Sequence, residues 1–344
     1  MSRDAGTALV SKALGCLIGG LVGDAIGTPS EGKDHRAIAE EFGWIDDFDA
    51  DGTDDTIMKT LLCRALVRTG GYATADDWAH EWLSDPDAIF GEKRNRFFIS
   101  VLHTARKLRD HATPRTAALG NMPSSSSAMA IAPVGIVNAC NPRQAAHQAY
   151  SIASLIHVHD VGFCQDGAAA IAAAVAAAFD QEATVDSVIE AATAFIPATS
   201  GAEMIESIDR CLATARDYPD YEGFRDRIYE RRDEFFRTIV CDSRETVPVS
   251  LALVLLAGGD VKKSVTYGAN FGRDTDTIAT MSGAIAGALG GVASIPQRWV
   301  DKAKRVSTID QDGLAAELAT VALQKADTER SARERLERLV AGSG

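Results

Sequence analysis

Gly272-Arg273-Asp274-Thr275-Asp276-Thr277-Ile278 runs directly into a long stretch of small residues, Ala279 to Gly291. Two carboxylates two residues apart, interleaved with threonines, open what the pattern predicts as a helix over 276–291. An apolar helix that begins with a cluster of anionic oxygens is a place to hold hard cations. A partner lies far upstream: Asp51-Gly52-Thr53-Asp54-Asp55-Thr56-Ile57, aligned on the shared Asp-Thr-Ile. There Thr53 reads as an N-cap, with Asp54 and Asp55 in the first turn of a helix running to about Arg68.

Taken singly, each stretch is ordinary capping, because threonine accepts from free N–H groups and aspartate favours the positive end of a helix. Taken together, they hold more acid than capping needs. Asp54, Asp55, Asp274 and Asp276 would repel one another if they met, and some would protonate, unless cations cancelled the charge. Two divalent cations would do so. With the Thr53 and Thr277 hydroxyls the set is all oxygen, which suits Mg²⁺, Mn²⁺ or Ca²⁺ and leaves no Cys or His to make a zinc site.

Outward from these two stretches the chain reads as all-α and as a single domain, without a polar linker or a run of alternating β-branched residues. Residues 8–27 form a glycine-rich apolar helix, weak locally unless another backbone approaches it closely. It delivers Asp24 and Glu31 to one helix end and the loop beyond, where Asp24 is expected to support the ligands from behind or to hydrogen-bond the helix end rather than to act as a catalyst. An acidic loop with Asp46, Asp47, Asp49 and Asp51 follows. Two amphipathic helices are expected over 75–111, a loop over 112–127, and a helix from Ala128 to Asn138 interrupted by Pro133. Helices at about 142–156 and 166–180 flank His157 and His159. Further helices fill 183–240, 246–257 and 259–268, and a last pair closes the chain over 301–344.

The net charge of -13 (Lys+Arg 35, Asp+Glu 48) argues against nucleic acid as the main partner. Six scattered cysteines without a CxxC pair fit a reduced, cytoplasmic protein. Glycines and Asp24 break the run from Leu14 to Ile26, and the run Gly167 to Phe179 is too short to span a bilayer, so no membrane association is expected.

Four segments carry a resemblance to the ADP-ribosylglycohydrolase family. They are Gly15-Cys-Leu-Ile-Gly-Gly-Leu-Val-Gly-Asp-Ala-Ile-Gly-Thr-Pro-Ser-Glu31, Thr53-Asp-Asp-Thr56, Ala128-Met-Ala-Ile-Ala-Pro-Val-Gly135 and Gly272-Arg-Asp-Thr-Asp-Thr277. The resemblance covers about residues 10–300, ending near Ile295-Pro296-Gln-Arg-Trp299. It implies an all-α fold with a dinuclear Mg²⁺ (or Mn²⁺) centre held by Thr53, Asp54, Asp55, Asp274, Asp276 and Thr277. Glu31 matches a carboxylate near the scissile bond, and with Asp55 and Asp276 makes the expected catalytic set. His159 matches a histidine that borders the ligand cleft.

The pattern departs from the family at two places. ADP-ribose-cleaving members usually carry a glycine-rich loop ending in Met-Arg. Here the loop is Ser124, Ser125, Ser126, Ser127, Ala128, Met129, with Ala130 in place of the arginine. Serine hydroxyls and N–H groups at a helix start still receive a phosphate or a sugar edge, so Ser124–Ser127 and Met129 join His159 as expected substrate contacts. Gly52 replaces an aromatic residue, which would reshape the pocket wall. The leading expectation is a Mg²⁺-dependent hydrolase of a ribosyl glycosidic bond, releasing ADP-ribose from a modified side chain or an ADP-ribose derivative. One alternative is a nucleosidase-like enzyme acting on a small ribosyl compound. Another is a non-catalytic ADP-ribose binder or structural homologue.

Overall fold

The computed structural model describes residues 3–341. In chain order these residues build α1 (Arg3–Gly27), α2 (His35–Phe42), α3 (Asp54–Arg68), α4 (Ala75–Ser84), α5 (Pro86–Phe90), α6 (Ile99–Arg109), α7 (Pro114–Ala117) and α8 (Ala132–Val137). There follow α9 (Pro142–Ala153), α10 (Phe163–Ala178), α11 (Val185–Ala194), α12 (Ala202–Asp217), α13 (Tyr221–Glu230) and α14 (Arg232–Phe235). The last five are α15 (Ser243–Leu256), α16 (Val261–Ala269), α17 (Thr275–Gly290), α18 (Gln297–Val306) and α19 (Gln311–Ala341). Among the described residues there is no strand, only an isolated antiparallel bridge between Asp34 and Gly272.

The alanine-rich α10 lies in the middle of the core, packed against α8, α9, α11, α15 and α17. The pairing that positions the site is that of α1 with α17. Glycines at four-residue spacing, Gly15, Gly19 and Gly23, line one face of α1. Ala279, Gly283 and Gly287 line the facing side of α17. A Cβ at Gly19 would lie 2.2 Å from the carbonyl oxygen of Gly283, one at Gly15 2.3 Å from that of Gly287, and one at Gly23 2.2 Å from that of Ala279. The partners descend along α17 as they climb along α1, so the helices run antiparallel with their backbones in contact. Each helix glycine costs about 0.5–1 kcal/mol against alanine. Close backbone packing at each of these positions works against that cost.

Antiparallel pairing brings the end of α1 to the start of α17. The hydroxyl of Thr275 donates to Gly27 O (2.9 Å), and that of Ser30 donates to Thr275 Oγ1 (3.0 Å). The backbones of Gly32 and Arg273 (2.7 Å) and of Arg273 and Lys33 (2.8 Å) complete the join.

The structure moves several expected boundaries for identifiable reasons. A helix, α2, occupies a stretch read as part of the approach to the acidic loop; Asp34 caps it by accepting from Arg36 N–H (2.9 Å). The two helices expected over 75–111 are three, because Pro86 starts α5 and a single 3-10 turn, Arg94–Arg96, precedes α6. Pro133 does not interrupt a helix over 128–138. It sits in the first turn of α8, where its missing N–H leaves no bond unmade. The segment Thr7–Ser30 has the length and apolarity of a membrane span, yet 78% of its most apolar window is buried in the protein, as a core helix requires.

Replacing Gly19 with valine must push α1 from α17. Overpacking of this kind costs about 1–3 kcal/mol or more, which lowers the melting temperature of a chain this size by roughly 5 °C. Thermal unfolding followed by circular dichroism measures it; an unchanged midpoint would mean the seam tolerates separation.

Candidate metal centre

Two devices bring the acids together. The join just described sets Glu31 beside the start of α17, which carries Asp274 as its N-cap residue and Asp276 in its first turn. The start of α3 is tied to the same place by Asp24, on α1. The carboxylate of Asp24 is fully buried and accepts from Thr53 N–H (2.8 Å), Thr53 hydroxyl (2.7 Å), Thr56 N–H (3.0 Å) and Thr56 hydroxyl (2.6 Å). Asp24 is therefore the group that caps α3, in place of Thr53. Gly52 leaves room for it, since a Cβ there would stand 2.4 Å from Asp24 Oδ2. Gly52 thus serves the cap, and it is not among the residues that line the cavity described below.

The two acidic helix starts meet directly: the Thr277 hydroxyl donates to Asp55 Oδ2 (3.4 Å). Asp54, Asp55, Asp274, Asp276 and Thr277 line a cavity of about 230 Å³, with Glu31 on its wall. Oxygens of Glu31, Asp274 and Asp276 lie within 4.8 Å of one another. The four aspartates are buried, whereas the Glu31 side chain is 43% exposed. Asp276 accepts from Thr277 N–H (2.9 Å) and Asp274 from the Ser125 hydroxyl (3.1 Å). Asp55 Oδ1 is buried and has no hydrogen-bond partner.

Burial first, then the neighbouring acids, sets the charge state of this cluster. Asp54 and Asp55 are pushed well above the usual carboxylate range by burial and by Asp24, and Asp276 by burial and by Asp274. Burial and Glu31 push Asp274 up to about 7. Glu31 is raised as well, by burial, against the pull of Arg96, whose guanidinium is 3.7 Å away. Beneath the cluster, Lys59 of α3 is almost wholly buried, next to a backbone that Gly20 leaves bare. Burial lowers its pKa while Asp24 holds it up, and its ammonium donates to Leu17 O (3.3 Å). One buried cation does not balance this many carboxyls. The lone Asp55 oxygen, the raised carboxyls and the all-oxygen donor set fit a divalent ion of the Mg²⁺ or Mn²⁺ type.

Not every expected residue reaches this cavity. Thr53 does not line it, and its hydroxyl donates to Asp24. Ser125, Ser126 and Met129 do line it. Ser124 and Ser127 are buried behind it and hold the ring of His157, at 2.9 Å from Nε2 and 2.9 Å from Nδ1 respectively. Burial pushes His157 down to about 3, so the ring is neutral. The structure does not bring His159 to the acids: it is exposed and borders a separate cavity with Tyr150, Phe163 and Asp166.

The cavity also has a wall that the motifs did not point to: Asn95, Arg96, Phe97, Phe98 and Cys241. A cluster of aromatic and basic residues without helical period was its only trace in the sequence. Lys59 left a clearer one, a lysine four residues after Asp55 on an otherwise apolar helix face.

The family model for ADP-ribosylglycohydrolase matches residues 5–328. An uncharacterized protein of Escherichia coli, YegU, is 28% identical over 341 residues, spanning 91% of this chain and 98% of its own. The ADP-ribosylhydrolase ARH3 of Bos taurus is 26% identical over 334 residues, spanning 84% of this chain and 88% of its own. A solved chain described as an ADP-ribosylglycohydrolase-related protein complex superposes with a TM-score of 0.65 at 16% identity, over 93% of this chain and 100% of that one, which shows the fold.

Removing metal has an expected signature. The ordinary carboxyl value for Asp274 is 3.8, and here it is about 7. Between those values the folded state keeps a proton that the unfolded chain has released. The stabilisation is complete below 3.8 and is lost as pH rises to about 7. In excess chelator the melting temperature should therefore fall as pH rises through this window. Mg²⁺ or Mn²⁺ held by the deprotonated cluster should restore stability by about 2.7 kcal/mol at a hundredfold excess over Kd, read as a rise in the melting temperature. Melting curves indifferent to either ion at pH 7 would remove the cluster as a cation site.

Proposed function

The chain belongs to the ADP-ribosylglycohydrolase family and is a hydrolase of glycosidic bonds, and we propose that it uses Mg²⁺ to release ADP-ribose from a modified side chain or an ADP-ribose derivative. The observation that carries this reading is the convergence of Asp54, Asp55, Asp274, Asp276 and Glu31 on one cavity, with a buried Asp55 oxygen left unpartnered.

Asp54, Asp55, Asp274, Asp276 and Thr277 would hold the metal, with Glu31 at the edge of the set. A divalent pair held there would supply chelation of the ribose hydroxyls and a lowered pKa for water. The residues of the chain supply the rest. Water oxygen adds to ribose C1′, the bond from C1′ to the side-chain nitrogen or oxygen breaks, and the leaving group takes a proton. Positive charge develops on the sugar as that bond breaks, and the carboxylates facing the cavity stabilise it. Glu31 is half-exposed at the cavity and burial raises its carboxyl above its ordinary value, which suits it to exchange a proton with water or leaving group. The Ser125 and Ser126 hydroxyls face the cavity as partners for the sugar edge. Arg96 offers the cation for a phosphate that position 130, a buried alanine, does not.

A second reading keeps the chemistry and shrinks the substrate to a free nucleoside. The small cavity and Ala130 favour it. Mg²⁺-loaded protein incubated with ADP-ribosyl-arginine, ADP-ribosyl-serine and a nucleoside panel decides between them. ADP-ribose release without nucleoside turnover is the expected result, and the converse would replace the first reading with the second. Asp55→Asn and Asp276→Asn should abolish turnover while helix content persists. Glu31→Gln should lower turnover by about 10²–10⁴ with little change in metal affinity measured by calorimetry. Full turnover by Glu31→Gln would take Glu31 out of the reaction.

A further inference from the structure

We propose that the outer face of α6 is a docking groove for an acidic polypeptide, the segment that flanks the modified side chain of a protein substrate. The inference rests on the reading that the enzyme acts on protein-linked ADP-ribose. Ile99, Leu102, His103, Arg106 and Arg109 recur at helical spacing along one face of α6. With Phe90 and Arg94 they line a cavity of about 560 Å³, and Asp110 is its one acid. Arg109 lies over the Phe90 ring at 4.9 Å. Ile99 is 50% exposed, on a helix whose opposite face is buried.

Three features set this groove apart. First, none of Arg94, Arg106 and Arg109 forms an ion pair among the described residues, in a chain of net charge -13 with many carboxylates to choose from. Exposed arginines without a carboxylate partner on an acidic protein are a local inversion of sign, which steers an anionic ligand to one place. Second, the groove adjoins the acidic cavity. The segment 94–99 is a shared wall: Arg94 and Ile99 face the groove, whereas Asn95, Arg96, Phe97 and Phe98 face the cavity. A substrate whose sugar enters the cavity has its attached chain led across this ridge. Third, the floor is mixed. Ile99, Leu102 and Phe90 offer apolar contact beside three forked donors, which matches a peptide with carboxylates and aliphatic side chains better than the regular phosphates of a nucleic acid.

The direct test is fluorescence anisotropy on the full chain. Its probes are a fluorescein-labelled peptide of glutamate and leucine, the same peptide with glutamine for glutamate, and a labelled single-stranded oligonucleotide. The glutamate peptide should bind more tightly than the other two. Binding should weaken as ionic strength rises past about 0.1 M, where exposed charges are screened within roughly 10 Å. The double variant Arg106→Glu/Arg109→Glu alters exposed positions and should bind the glutamate peptide about tenfold more weakly, as exposed pairs of modest strength allow. In turnover, the same variant should lose about tenfold in kcat/KM on an ADP-ribosylated acidic peptide and nothing on the free ADP-ribosyl amino acid. Equal affinity of variant and wild type for the glutamate peptide, or tighter binding of the oligonucleotide, would overturn the proposal. Wild type that turns over neither substrate would overturn the reading of the cavity, and the anisotropy alone would then decide the groove.

Discussion

The backbone-to-backbone contact between α1 and α17 is the constraint from which the site follows. Gly15, Gly19 and Gly23 on one helix and Gly283 and Gly287 on the other allow the two axes to approach until carbonyl oxygens occupy the space where side chains would stand. That approach fixes the end of α1 against the start of α17 with little freedom to slide, because each glycine is matched to its own partner. Asp24 then carries the fit to α3 through four hydrogen bonds. A single rigid seam thus fixes the position of every acidic group in the cavity.

Those acids are costly where they stand. Four buried carboxyls with raised pKa values and one oxygen without a partner store unfavourable electrostatics in the metal-free fold. Lys59 relieves part of this from below, in a space that Gly20 keeps clear. His157 supports the site differently. A neutral ring clamped by Ser124 and Ser127 stiffens the serine loop, so that Ser125 and Ser126 face the cavity in a fixed orientation.

What could be seen in the sequence followed the strength of local pattern. The two Asp-Thr-Ile stretches were legible because aspartates beyond what a helix start can use call for a counter-charge, and in the fold the two stretches meet at one cavity. The many glycines of an apolar helix announced a close backbone neighbour, though not which one. Distinctions that depend on side-chain direction were not legible. His157 and His159 differ by two positions, but one faces the serine loop and the other faces solvent from a backbone with φ 63°. Serines of one run likewise divide between the cavity and the histidine behind it. Thr53 looked like a cap and a ligand, and it is neither capping group nor wall, because a carboxylate 29 residues away claims its hydroxyl. The wall from Asn95 to Phe98 begins on a 3-10 turn without periodicity, where a sequence has least to say.

The antiparallel seam also bears on how the protein matures. Its two strips of glycine lie some 260 residues apart along the polypeptide, so closing them demands a large loop and a high contact order. During synthesis the first acidic pair leaves the ribosome long before the second exists. Half-made chains therefore present Asp54 and Asp55 without the opposing oxygens, and the cavity is completed only when the far ends of the fold have found each other.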